Sequence, residues 1–318
     1  MSLATPSRRR LVSCLGAAAV AGMFPERRAA AQALEFNSPY NFVSVQKEGS
    51  LVTFGYVLNT DDQLSAVDLS NPAYQVLPYT RYYYAADLVK RSPRQVLVAG
   101  LGAGAFHRLF SLVHPESRLV TVEIDPMILS LAQEHADFRT GADNEVMIDD
   151  ARIFLRKSRE IYDWILLDAF NREAQIPAHL TTQEFFRILH NRLADDGVVL
   201  ANMVQEGTRF FASYVSTIRT VFPSVVLLPV RDSTNVVVVA AKSLATPIQL
   251  RLETLGPSDH ARYQDYGVDL PEIVGDAVYE GDYLPRLAGY GTILTDDFAP
   301  VESLDRETAP YIGPQQPG

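Results

Sequence analysis

The sequence predicts an α/β fold, a mostly parallel sheet with helices on both faces, preceded by a small antiparallel β domain. Three observations carry this. From Gln95 to Lys242, apolar runs of strand length alternate with amphipathic helical segments. The runs VLVA, WILL and GVVLA are continuously apolar, as strands covered on both faces must be. Ahead of them, NFVSVQKEG and SLVTFGYVL alternate apolar and polar residues around Gly49, the pattern of a half-solvated hairpin.

The N-terminus stands apart from this fold. Ser7-Arg8-Arg9-Arg10-Leu11-Val12 resembles a twin-arginine export signal, and Ala31-Gln32-Ala33 is an A-x-A cleavage site. The apolar run between them, Leu11 to Phe24, falls short of the roughly 20 residues a spanning helix needs. Residues 1–33 therefore read as a signal peptide of a periplasmic or exported protein, the alternative being an uncleaved membrane anchor. Cleavage removes five arginines and one glutamate, moving the net charge from -10 to -14. It also removes Cys14, the single cysteine, so the mature chain is expected to lack disulfides, a thiolate nucleophile and Cys-based zinc sites.

Residues 34–77 are expected to form the small β domain, of about three strands, with Asn59-Thr60-Asp61-Asp62 as a turn. The main domain spans 78–245 and opens on a helix from Pro78 to Lys90. Its strand–helix pairs follow in order: VLVAG with AFHRLFSLV, RLVTVEI with PMILSLAQEHADF, EVMI with DARIFLRK, DWILLDAF with TTQEFFRILHNRL, and GVVLANMV with TRFFASYVSTIRTVF. VVLLPV and NVVVVAAK close the core. Residues 246–318 read as a C-terminal extension with a short helix, loops and a disordered Pro314–Gly318 tail.

Composition narrows the chemistry. A net charge of -10, with no basic cluster in the body of the chain, argues against a nucleic-acid partner. The six histidines show no H-x-H or H-E-x-x-H spacing, so no metal site is expected, and no G-x-S-x-G elbow marks a hydrolase.

What remains is a nucleotide site. Gly100-Leu101-Gly102-Ala103-Gly104 follows a strand directly, where glycines let the backbone turn sharply and approach a ligand. Glu123 ends the next strand, where an acid can accept both ribose hydroxyls. Asp150 follows the third, placed to accept from an adenine amine, and Asp168 ends the fourth, beside a reaction centre. Asp150 and Asp168 also suit helix N-caps. Three acids in register favour a cationic adenosyl sulfonium over a dinucleotide, whose phosphates they would repel.

With these residues the sequence resembles the spermidine synthase (polyamine aminopropyltransferase) family, from about Ser38 to Lys242; IPAHLTTQEFF and LTDDFAPVE look like its bacterial exported branch. The resemblance implies a Rossmann-like, S-adenosylmethionine-dependent methyltransferase fold, aminopropyl transfer from decarboxylated S-adenosylmethionine to a polyamine, and commonly a homodimer. It makes Glu123 the ribose ligand, Asp150 the adenine ligand, and Asp168 and Tyr79 the catalytic pair. Ala103 departs, standing where the family's loop carries an aminopropyl-gripping Asp. Asn171 departs too, standing at the second acid of the D-S-S-D segment on the substrate side, and an amide accepts no proton at neutral pH. Arg81 replaces a family acid and is expected to repel a diamine if it faces the pocket. Asp296 and Asp297 can supply the missing acids if their loop folds over the strand ends; otherwise that loop caps the domain. His179 and one of Tyr82, Tyr83 and Tyr84 are further candidates for the pocket wall. Three functions stay open: a spermidine synthase-like transferase, a methyltransferase that takes S-adenosylmethionine itself, and a homologue that binds nucleotide or polyamine without catalysis.

Overall fold

The computed structural model describes residues 33–55, 63–204, 207–242, 252 and 257–312. The export-signal segment, the Asn59–Asp62 turn and the Pro314–Gly318 tail lie outside these residues. Among the described residues no helix is long and apolar enough to cross a membrane.

The β domain holds four strands rather than three: β1 (Leu34–Asn37), β2 (Phe42–Glu48), β3 (Leu51–Gly55) and β4 (Gln63–Asp68), paired antiparallel in sequence order. The additional strand, LEFN, is too short and too exposed to show a period of its own; pairing with β2 defines it.

The expected helix at Pro78 ends early. α1 runs Pro78–Tyr82, and a 3-10 segment, Tyr83–Leu88, continues it. Tyr82, Tyr83 and Tyr84 are all buried, which no single face of an α-helix allows, so packing overrides the helical spacing.

The second sheet has seven strands: β5 (Gln95–Ala99), β6 (Arg118–Glu123), β7 (Asn144–Ile148), β8 (Tyr162–Leu167), β9 (Leu193–Met203), β10 (Ser224–Pro229) and β11 (Val236–Ala241). Their order is β10-β11-β9-β8-β5-β6-β7; β5 to β9 are parallel and β11 runs antiparallel to both its neighbours. This is the α/β architecture the sequence predicts. The helices between strands are α2 (Ala105–Val113), α3 (Pro126–His135), α4 (Ala151–Lys157), α5 (Gln183–Arg192) and α6 (Arg209–Arg219). Among the described residues beyond 256 four short helices follow, where the sequence predicts one: α7 (Pro257–Gln264), α8 (Leu270–Gly275), α9 (Glu280–Leu287) and α10 (Val301–Asp305). They bury Tyr263, Ile273, Tyr283 and Leu304 against the sheet layers, contacts that weak local periodicity does not announce.

The chain reverses direction across the sheet at β5, between β6 and β8. Ligands on open parallel sheets bind outside the carboxyl ends of the strands at such a point. The β domain closes over the same edge: Val43, Val45 and Phe54 share a core with Leu101, Ala103, Ile128 and Phe138.

Candidate active site

A cleft of about 780 Å³, counting its open mouth, lies at the carboxyl ends of β5, β6, β7 and β8. Gly100, Gly102, Glu123, Asp150, Asp168 and Tyr79, all expected from sequence, line it. Gly104 instead sits behind the turn against Phe138.

Why the turn needs glycine is visible in the contacts. Gly100 has φ +99°, and a Cβ there would run into the carbonyl of Asp168. At Gly102, φ +55°, a Cβ would lie 2.7 Å from Ser65 Oγ. Ser65 is a β4 residue, and its hydroxyl accepts the Ala103 N–H at 2.9 Å. The β domain thus buttresses the glycine turn directly. Ala103 itself is fully buried and does not line the cleft.

Glu123 ends β6 and is buried. Its Oε2 accepts the Leu101 N–H at 3.0 Å and its Oε1 the Asp125 N–H at 2.9 Å. Burial pushes the carboxyl up to about 7, and the two backbone donors partly oppose this. The next acid, Asp125, is wholly enclosed and joins α3 to the β1–β2 loop: it caps α3 through the Met127 N–H at 3.0 Å and accepts Ser38 Oγ at 2.5 Å and Asn41 Nδ2 at 3.1 Å. Asn41 reaches the cleft this way. Arg172, in the loop after β8, donates to the carbonyls of Ser38 and Pro39, each at 3.3 Å, closing that corner.

Asp150 takes the helix-capping role that its position suggested and also lines the cleft. Its Oδ1 caps α4 by accepting the Ile153 N–H at 2.8 Å, and Oδ2 meets His179 Nε2 at 2.7 Å. His179 also lines the cleft, carried there by the loop before α5.

Asp168 is half-buried at the end of β8. Burial lifts its carboxyl to about 6, while Asn202, Tyr83 and Tyr79 pull it down. Asn202 Nδ2 donates to Oδ1 at 3.0 Å. The buried Tyr83 hydroxyl lies close enough to be felt but outside hydrogen-bond geometry. Tyr79 donates to the Leu64 carbonyl at 3.0 Å and also faces Asp168.

A second cavity adjoins this one, sharing Leu64, Tyr79 and Phe170. Its wall adds Pro78, Asn202 and the β10–β11 hairpin residues Asp232 to Asn235. Tyr79 therefore stands in the wall of both cavities, while Asp168 lines the first and is bonded to Asn202 of the second.

Other expectations resolve differently. Arg81 turns away from the cleft: it donates to the carbonyls of Gln75 at 2.9 Å and Val76 at 3.3 Å, and covers the Tyr74 ring. The repulsion expected from it does not arise. Asn171 does not line the cleft either; its Oδ1 accepts the N–H groups of Glu173 and Gln175, each at 3.0 Å, as a turn-forming amide. Asp296 is fixed to Arg152 by a bidentate pair and accepts Thr182 Oγ1 at 2.8 Å. The Arg152 guanidinium holds its carboxyl below the ordinary value. Neither it nor the exposed Asp297 lines the cleft, so this loop caps α4 and α5 rather than replacing the missing acids.

Sequence reasoning passed over Asn41, Ser65 and Asn202. For Asn202 a signal existed, a lone amide inside the apolar run GVVLANMV. For Asn41 and Ser65 there was none, because only the docking of the β domain brings them to the cleft.

Comparison with known proteins agrees with this geometry. A family model described as "Spermine/spermidine synthase domain" matches residues 84–243. A polyamine aminopropyltransferase of Vibrio vulnificus is 28% identical over 230 residues, covering 71% of this chain and 75% of that protein. The crystal structure of a probable spermidine synthase from Corynebacterium glutamicum superposes with TM-score 0.65 at 21% identity, covering 85% and 98% of the two chains. A spermidine synthase in complex with the transition state analogue AdoDATO superposes with TM-score 0.57 at 18% identity, covering 76% and 83%.

Proposed function

The chain belongs to the spermine/spermidine synthase domain family, and from that premise we propose that it binds decarboxylated S-adenosylmethionine and transfers the aminopropyl group to an amine. The observation that carries the reading is the convergence of Glu123, Asp150 and Asp168 on one cleft, with Tyr79 in the wall it shares with the second cavity.

In this reading Glu123 accepts the ribose hydroxyls and Asp150 the adenine amine. Asp168 takes a proton from the acceptor ammonium, whose nitrogen then has a free lone pair. That pair forms the new N–C bond at the carbon beside the sulfonium. The S–C bond breaks, its electrons stay on sulfur, and neutral methylthioadenosine leaves. Tyr79 narrows the passage so that nitrogen and carbon meet in line.

One observation favours a second reading. The glycine turn presents no acid to an aminopropyl ammonium, since Ala103 is buried. A site without that grip suits S-adenosylmethionine as a methyl donor. Calorimetry with decarboxylated S-adenosylmethionine, S-adenosylmethionine and methylthioadenosine separates the two, with mass spectrometry of the product formed from each. Methylthioadenosine release that depends on a polyamine supports aminopropyl transfer. S-adenosylhomocysteine formation supports methyl transfer, and no binding of any of the three overturns both. The N-terminal segment is proposed to export the folded chain; N-terminal sequencing of a periplasmic fraction tests this.

A further inference from the structure

Asp168 is held by a chain of amides that begins at the β10–β11 hairpin. The backbone N–H of Asn235 donates to Ser233 Oγ at 3.2 Å. That hydroxyl therefore spends its own hydrogen on Asn235 Oδ1. Asn235 Nδ2 then faces Asn202 and donates to its Oδ1 at 2.8 Å. Asn202 Nδ2 is left to donate to Asp168 Oδ1 at 3.0 Å. Each bond fixes the orientation of the next amide, starting from a backbone N–H that can only donate.

We propose that Asn202 and Asn235 are positioning residues for this reaction, a one-way amide relay that locks Oδ1 of Asp168 as an acceptor and leaves Oδ2 as the oxygen that receives the proton. The proposal rests on the reading of Asp168 as the base. Asn202 is 2% exposed and is the penultimate residue of the interior strand β9, so a polar side chain there is costly unless it is fully bonded. Both of its amide ends are bonded, one to the base and one to the relay. The hairpin supplying Ser233 and Asn235 also walls the second cavity, so whatever occupies that cavity touches the far end of the relay. A proton on Oδ1 would face the Asn202 Nδ2–H, so both amides would have to turn over and the Ser233 hydroxyl would lose its acceptor on Asn235. Protonation on Oδ2 disturbs nothing in the chain, which is why the proton is directed there.

The ionisable groups around Asp168 are the Tyr79 and Tyr83 phenols facing it from α1 and the 3-10 segment, Glu123, Asp149, Asp150 and His179 in the same cleft, and Asp232 in the adjoining one. Asn202 and Asn235 are themselves neutral, so replacing them removes hydrogen bonds without changing the charge count.

The test uses the whole chain with carbon-13-labelled aspartate and follows the Asp168 carboxyl against pH by NMR, without ligand. Asn202→Leu is expected to move its midpoint upward by about one pH unit, because a hydrogen bond to the charged form is lost. Asn235→Ala, which leaves Asn202 in place but free to turn over, is expected to move it the same way by less. If turnover is measurable, the acid limb of its pH profile shifts in parallel in both variants. Methylthioadenosine affinity, which depends on Glu123, should stay within about threefold of the wild type. An unmoved midpoint in folded Asn202→Leu overturns the relay, as does a midpoint that moves down. Should Asn202→Leu not fold, Asn235→Ala alone decides, since Asn235 sits in a hairpin loop. Wild-type chain that binds no nucleotide overturns the proposed function instead, and the NMR titration still decides the relay.

Discussion

Glu123 Oε2 accepts the Leu101 N–H at 3.0 Å, so the acid closing β6 is bonded to the middle of the glycine turn that follows β5. One contact thereby ties the glycine turn to the end of β6. Because burial lifts this carboxyl to about 7, a fraction of the free chain carries it protonated at neutral pH. Ribose hydroxyls donate to the charged form, so binding releases a proton. Methylthioadenosine affinity is expected to rise by up to about tenfold per pH unit below 7 and to level off above it. Calorimetry across pH 5.5 to 8.5 reads this directly. Glu123→Ala should remove measurable affinity, and a flat pH profile in the wild type would contradict the assignment.

Asp168→Asn should cost activity and raise stability. The folded carboxyl is held near 6 by burial, above its ordinary value of 3.8. Between those two values the native state keeps a proton that the unfolded chain releases, so stability falls as pH climbs through the window and stays lowered above it. Asparagine has no such proton to lose, and it can still accept from Asn202. The variant is expected to gain about 1–2 kcal/mol over the wild type at pH 8 and to lose that gain towards pH 4. Urea denaturation at both values measures it.

Two glycine substitutions should act in opposite directions. Gly100→Ala places a methyl group against the Asp168 carbonyl at a φ of +99°. A loss of at least about 2 kcal/mol is expected, with the strand ends pushed apart and nucleotide affinity reduced. Gly281 lies in the first turn of α9, with nothing near the space a Cβ would occupy. Gly281→Ala should gain about 0.5 kcal/mol through the unfolded state alone. Thermal melts of the two variants compare them.

The Arg152–Asp296 pair ties the loop after α9 to α4 and α5. Asp296 is 43% exposed, so solvent screens the attraction and the bidentate geometry supplies most of its value. A double-mutant cycle with Arg152→Ala and Asp296→Ala should give a coupling of about 1 kcal/mol. Methylthioadenosine affinity should survive in both, because Asp296 stands outside the cleft. A loss of affinity in Asp296→Ala would return that acid to the substrate site.

The sequence by itself determined the sheet, the glycine turn and the strand ends on which Glu123, Asp150 and Asp168 stand. The reason is local: continuous apolar runs must be buried on both faces, and a carboxylate directly after such a run has to lie at its end. Only the tertiary structure decided where the remaining side chains point. Arg81 carries its charge within the same short segment as Tyr79, yet the carbonyls of Gln75 and Val76 draw it out of the cleft. Asp296 has a partner 144 residues away that no spacing announces. Asn41 and Ser65 enter the site because one sheet docks on another, and Asn202 acquires its role from a hairpin two strands away in sequence. Side-chain direction is set by the partners that three-dimensional packing supplies, and those partners are distant in the chain.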